Sequence, residues 1–490
     1  MSGPGFYQPE GAWVGDVIPW EEDGVFHLFY LHESRGAPEE GMPWHRVLTK
    51  DLVDFHDQGP AIASGGRDAA DFNVYTGSIV LDADGTHHAF YTGQNPLHLG
   101  EDGRPLQLVL HTTSHDGMLS WQRHPADTFG ATSGYETADW RDPFVFWDEQ
   151  ARIWRMLITA RHAHGPERRR GLIAQCVSRD LTDWDPAPPF WDPRRYIAHE
   201  CPEVFQWGEW WYLVYSEFSD AFTTRYRMAR SLDGPWTVPD HDTLDGRAFY
   251  AAKSARRGGR RLFFGWIASR EGSRDDGAWQ WAGTMSVLEA EQRADGTLAF
   301  HPTEELRRSF ADHTDGLAPG TELRAPDGYA DVLTTTDTDS SFRLVARFAI
   351  DGNTTECGVL LRASADGDEG YALRLEPGRD RLVFDRWPRR STGTEQWQIS
   401  GDVPFSVELE RPVTLGPGEH ELDVIVDGDL CVATVDDTTV LSTRLYDRAS
   451  GRAGAFVGEG AVTLTEFSVR TRGEDTRRAP QRDAPLMAQG

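Results

Sequence analysis

The sequence predicts an all-β protein, a five-bladed β-propeller followed by a β-sandwich. Two observations predict it. Five strand-turn-strand segments recur along the first 310 residues, and beyond a polar Gly/Asp-rich connection the chain resumes as short alternating strands. A fixed unit repeated several times points to a radial or stacked architecture rather than to one large core.

The five hairpins are DVIPWEEDGVFHLFYL (16–31), GSIVLDADGTHHAFYT (77–92), DPFVFWDEQARIWRMLITA (142–160), ECPEVFQWGEWWYLVYS (200–216) and AAKSARRGGRRLFFGWI (251–267). Each has a β-rich run, a turn carrying Gly or acidic residues, and a second β-rich run. The first two share a register: Asp16 stands seven residues before Asp23-Gly24, as Gly77 does before Asp84-Gly85. A second recurring element follows the hairpins: TKDLVDF (49–55), SHDGMLSW (114–121), SRDLTDW (178–184) and SLDGPW (231–236). A hydroxyl residue, an Asp two later and then an aromatic read as a turn into a further strand. Each unit therefore supplies about four strands, the size of a propeller blade.

The expected boundaries are 1–310 for the propeller, 311–473 for the sandwich and 474–490 for a disordered tail. The second region shows short strands such as SFRLVARFAI, CGVLLRAS and HELDVIVDGDLCVATVDD with regular turns, as sandwiches do. The tail, EDTRRAPQRDAPLMAQG, has few apolar groups, so it cannot bury enough surface to order itself.

Composition narrows the function. Asp plus Glu number 78 against 49 Lys plus Arg, a net charge of −29. That charge repels phosphate backbones and acidic lipid surfaces, which argues against nucleic-acid or membrane partners and for a neutral one. The start MSGPGFYQPEG has neither the basic nor the apolar part of a secretion signal, and the four scattered cysteines form no disulfide framework, so a cytoplasmic location is expected. Neither metal-ligand spacing nor a Gly-rich phosphate loop stands out, and the EEDG and DADG turns lack the closing Glu of a calcium loop. No metal and no cofactor are expected.

If the first strand of every unit lines the propeller axis, Asp16, Asp142 and Glu200 converge at one end of it. Clustered carboxylates raise one another's pKa and are costly unless chemistry uses them. Glycosidic hydrolysis needs an acid to protonate the leaving oxygen and a carboxylate to attack the anomeric carbon or activate water. Read singly, Trp44, Tyr75 and Trp281 are equally at home in the propeller core, Arg141 can serve as an ion-pair partner of Asp142, and Glu203 falls outside the cluster.

The motifs carry a family resemblance. WVGDVIP, GVFHLFYL, PWHRVLTKDLVDF, YTGS, WRDPFVF, HECPEVF, FYAAKS, GWIAS and WAGTMSVLE resemble, in order from residue 11 to about 306, the motifs of glycoside hydrolase family 32, the fructosidases and invertases. The resemblance implies a five-bladed propeller with an appended β-sandwich. It implies Asp16 as nucleophile, Glu200 as general acid/base and Asp142 as the stabiliser that grips sugar hydroxyls. It further implies Arg141, Trp44, Tyr75, Thr76 and Trp281 around the fructosyl unit, with Cys201 beside the acid/base. Gly15, Val17-Ile18-Pro19 and Leu31 depart from the family pattern, which has polar residues before the nucleophile and in the pocket. His32, Glu33 and Lys253 are candidates to replace the missing donors.

The activity these residues imply is retaining exo-hydrolysis of β-fructofuranosides through a glycosyl-enzyme intermediate. The alternatives are an arabinofuranosidase- or xylosidase-like enzyme, a fructosyl-transferring enzyme, and a sugar-binding propeller without catalysis. A carbohydrate is the expected partner, with self-association through the sandwich.

Overall fold

A computed structural model describes residues 4–388, 408–416 and 418–472; the proposed tail, 474–490, lies outside the described residues. The chain forms two compact units. The first comprises Met1–Thr303, Leu409–Pro412 and Asp437–Arg444, and the second Glu304–Glu408, Val413–Asp436 and Leu445–Gly490.

The first unit is a five-bladed β-propeller. Its inner strands are Trp13–Glu22, Asn73–Leu81, Tyr135–Asp148, Glu200–Trp207 and Phe249–Arg257. Each packs against the next, and the fifth packs against the first, closing a ring. Every inner strand begins an antiparallel meander, so all five sequence hairpins form. Blade four has three full strands, with two isolated bridges, Met228 to Thr237 and Arg225 to Thr243, in place of the fourth. Between Val14 and Gly283 the first strand of blade one pairs with the third strand of blade five, which fastens the ring.

The turns explain why these residues form strands where they do. Asp23 and Gly24 both take positive φ, at 52° and 77°, the conformation of a two-residue hairpin turn whose twist matches its strands. The TKDL, SHDG and SRDL elements are one turn used three times. The hydroxyl oxygens of Thr49, Ser114 and Ser178 accept the amides of Leu52, Met118 and Leu181 at 2.9, 3.0 and 2.9 Å. The following residue amides go to Asp51, Asp116 and Asp180. Side chains of the corner itself thus take up backbone donors that leave the ladder, so the strands can stop abruptly.

The second unit is a β-sandwich. Its longest strand, Gly451–Thr471, pairs through its first half with Glu356–Ala363 and through its second half with Ser341–Ile350. One strand thereby serves both layers. Helix is confined to short turns and the five-residue Glu304–Arg308 among the described residues, and no helix there is long and apolar enough to cross a membrane.

Candidate active site

A β-bulge occurs at the same height in all five inner strands. The register slips between Val14 and Val17, Tyr75 and Gly77, Arg141 and Phe144, Glu200 and Glu203, and Tyr250 and Lys253. Each bulge sets one surplus residue against the partner strand and re-aims the side chains beside it. Asp142, Cys201 and Ala251 sit in these bulges with φ of 57°, 50° and 53°, a left-handed conformation that costs non-glycine residues about 1–3 kcal/mol and gathers at functional sites. Asp16 and Glu200 stand at or near the starts of their strands, as expected. Asp142 does not: pairing continues back to Tyr135, and the bulge rather than the strand end turns the carboxylate inward.

The three carboxylates meet around Cys201. Its backbone amide donates to Asp142 Oδ2 at 3.0 Å, its thiol lies 3.5 Å from Asp16 Oδ2, and its chain neighbour is Glu200. Asp16 also accepts from Thr76 Oγ1 and, at 3.1 Å, from Trp266 Nε1. Asp142 accepts from Thr159 Oγ1 at 3.0 Å. Glu200 receives Arg141 Nη2 at 2.9 Å on one oxygen and Tyr250 OH at 2.6 Å on the other. Arg141 is chiefly a clamp between Glu200 and Asp139, 2.6 Å away, while Asp142 is a looser neighbour at 3.7 Å.

Burial sets the electrostatics. It raises the pKa of Asp16, and the nearby Asp142 charge adds to the effect, although Thr76, Trp266 and Cys201 donate to the ionised form. Glu200 is likewise raised by burial, against the pull of Arg141. Burial opposes the Arg141 charge, but Glu200, Asp142 and Asp139 together outweigh it and hold the guanidinium ionised. The Cys201 thiol is pushed well up by burial and by the adjacent carboxylates, so it remains a donor. Asp16 and Glu200 are thus both raised by burial, but their partners differ: Asp16 accepts neutral donors while Glu200 faces the Arg141 cation, and such a difference in surroundings lets two carboxyls take different roles.

A cavity of about 530 Å³ opens above these groups. Asp16, Thr76, Arg141, Asp142 and Glu200 line it, with Tyr75 and Trp281 as aromatic walls. Two sequence expectations are corrected. Trp44 is fully buried, packed between Phe29 and Tyr91, and donates its indole N–H to the Tyr75 carbonyl at 3.0 Å. It supports the wall and does not form it. Lys253 is also buried and outside the cavity lining, with Nζ donating to the Gly77 carbonyl at 2.7 Å, so it ties blade five to blade two instead of facing the sugar cavity. Of the other replacement donors, Glu33 reaches the cavity, while His32 stacks on His45 at 3.8 Å. Glu203 lies buried outside the cavity wall, accepting the Ser254 amide at 2.6 Å.

Sequence reasoning missed Asp139, Gln107, Met42 and Phe218 in the lining, and Tyr250 and Trp266 as carboxylate donors. The last two lie within FYAAKS and GWIAS, so a signal existed; Asp139 and Gln107 sit in strands, and Met42 and Phe218 in connections, none of them within a quoted motif. Among the described residues no cluster of His, Cys, Asp and Glu is arranged to hold a metal ion.

The departures from the family pattern have a structural reason. A Cβ on Gly15 would lie 2.5 Å from Trp281 Cη2 and 3.0 Å from Leu31 Cβ. The Trp281 indole thus occupies the space a longer side chain at position 15 would need, and an apolar patch of Leu31 and Trp281 stands where polar groups would otherwise be.

Comparison with known proteins gives a consistent picture. The family model described as "Glycosyl hydrolases family 32 N-terminal domain" matches residues 6–302. An insoluble β-fructofuranosidase isoenzyme of Arabidopsis thaliana is 25% identical over 324 residues, covering 57% of this chain and 52% of that protein. The sucrose-6-phosphate hydrolase of Escherichia coli is 26% identical over 331 residues, covering 64% of this chain and 66% of its own. The chain spans about half the length of the first of these relatives. Among solved structures, fructan 1-exohydrolase IIa from Cichorium intybus superposes with a TM-score of 0.74 at 18% identity, over 96% of this chain and 97% of that one. An exo-inulinase from Aspergillus awamori gives 0.73 at 19%, over 96% and 98%.

Proposed function

We propose, from the premise that this chain belongs to glycosyl hydrolase family 32, that it is a retaining exo-glycosidase acting on β-fructofuranosides. Asp16 attacks the anomeric carbon while Glu200 protonates the departing oxygen, forming a covalent glycosyl-enzyme. Glu200 then takes a proton from water, which releases the sugar with its configuration retained. Asp142 binds ring hydroxyls as positive charge develops on the ring. Arg141 and Tyr250 hold the Glu200 carboxyl in place for both proton transfers, and Tyr75 and Trp281 offer apolar faces to the sugar.

The single observation that carries this reading is the junction at Cys201, where one residue touches two carboxylates and adjoins the third. Relatives named as β-fructofuranosidase and sucrose-6-phosphate hydrolase support the substrate class. The four cysteines are buried and unpaired, which supports a reducing, cytoplasmic setting. The test is product analysis after incubation with sucrose, inulin and levan. Free fructose released one unit at a time is expected; arabinoside cleavage without fructose release contradicts the reading.

The Gly15–Trp281 contact carries its own prediction. Gly15→Ala drives a methyl into the indole and displaces the cavity wall, so KM rises about 5- to 30-fold, the equivalent of 1–2 kcal/mol, with kcat affected less. Steady-state kinetics on the preferred fructoside reads this. An unchanged KM would show that Trp281 gives way freely and forms no part of the pocket.

A further inference from the structure

Blade two holds a buried pair of histidines wedged between two carboxylates. His88 Nε2 lies 3.1 Å from Asp82 Oδ2, His88 Nδ1 lies 2.9 Å from His111 Nε2, and His111 Nδ1 lies 2.7 Å from Asp127 Oδ2. The two rings are 8° from parallel and both are buried. We propose that at neutral pH this pair holds one proton in common, and that the shared proton locks blade two until acid adds a second.

The hydrogens can be counted. Each of the three contacts needs one hydrogen between its heavy atoms. A neutral imidazole carries one N–H, and a charged one carries two. Two neutral rings therefore leave one contact without a hydrogen, with lone pairs facing each other in a buried place where unpaired polar groups are costly. One added proton turns every contact into a hydrogen bond. A second added proton sets N–H against N–H across 2.9 Å.

The surroundings favour the singly charged pair. Asp82 Oδ1 accepts the amides of Asp84 and Thr86 at 2.9 and 2.8 Å. Burial opposes its charge, but these donors and His88 prevail and hold the carboxyl below the usual range, so it stays ionised beside the pair. Phe90 stacks on His111 at 4.5 Å and Trp184 of blade three meets Phe90 edge-on, which makes that side apolar. Among the described residues, the other titratable groups against the pair are His124, 5.0 Å from His111 between ring centres and bonded to Thr113, and His115, bonded to Thr86. Burial lowers the His88 pKa against the pull of Asp82, and takes His111 down to about 4 against the pull of Asp127, with the His88 charge adding to the fall. A second charge is thus refused at neutral pH. A proton shared by both rings differs, because it makes a bond that neither ring makes alone, and its titration belongs to the pair.

The lock bears on the catalytic site. His88 shares the strand His87–Leu99 with Thr92, and His111 shares Pro105–Ser114 with Gln107. Thr92 Oγ1 accepts the Asp142 amide at 2.8 Å, and Gln107 Oε1 accepts from Arg141 at 3.3 Å. A second proton that drives the rings apart separates the two strands carrying these supports.

The test has two arms, both on the full chain. In the first, nitrogen NMR with isotopically labelled histidine identifies the pair in the parent protein by the coupling between nitrogens across the ring-to-ring bond. At neutral pH three of its four ring nitrogens are expected to carry or share a hydrogen. An absent coupling, or a count of two or four, would overturn the proposal. In the second arm the parent is melted beside the H88Q/H111N variant over a range of pH. The unfolded histidines bind two protons below the ordinary value of 6.5 and none above it, whereas the native pair keeps one on both sides. By linkage, the parent's advantage over the variant peaks near 6.5 and falls in both directions, with an alkaline loss of about 3 °C or more over about two pH units. An advantage that levels off on the alkaline side would mean two neutral rings and overturn the proposal. Should the variant fail to fold, the nitrogen count decides alone.

Discussion

Asp16→Asn is expected to abolish turnover while making the protein more stable. Removing the nucleophile of a unit that acts together costs about 10⁴-fold or more in kcat, and Asn preserves the size of the side chain and can still accept from Trp266. Stability moves the other way. Burial raises the Asp16 pKa in the folded state, so the native protein holds this proton more tightly than the unfolded chain. By linkage, stability falls as pH rises from the ordinary Asp value of 3.8 through the raised native value, and the loss is complete above it. Asn carries no such cost. The variant should therefore melt at a higher temperature than the parent at neutral pH, with the difference shrinking toward the ordinary Asp range. A variant that is inactive and less stable at neutral pH would mean that Asp16 is a structural anchor instead.

Glu200→Gln is expected to lower kcat on sucrose by about 10²- to 10⁴-fold, the span of general acid/base catalysis. Both Asp16 and Glu200 are raised by burial, and the reaction needs the first ionised and the second protonated. The acid limb of the pH–rate profile should then lie above the ordinary Asp range, and the alkaline limb above the ordinary Glu range. The two limbs belong to the coupled pair. Gln at 200 removes the alkaline limb. With a fructoside whose leaving group departs without a proton, the first step recovers and the second, which needs the base, does not.

Much of the fold was legible because turns and alternation are local. The hairpins are written in 16 to 19 consecutive residues and the hydroxyl-x-Asp corner in six to eight; all five hairpins formed, and three of the corners share one hydrogen-bonded turn. The bulges were not legible, since a surplus residue exists only relative to a partner strand. That is why Asp142 turned up within a strand. The catalytic trio could be inferred from equivalent positions in three blades, but its supporting shell could not. Trp44 and Lys253 carry side chains suited to a sugar pocket, yet a neighbouring carbonyl claims the polar atom of each.

The central claim is that Asp16 forms a bond to the sugar. Mass spectrometry of Glu200→Gln mixed with a fructoside bearing an activated leaving group tests it most directly. The account predicts protein heavier by one fructosyl unit, with the added mass on the peptide that contains Asp16. An unmodified protein that nonetheless releases the leaving group, or a sugar attached to any other residue, would contradict it.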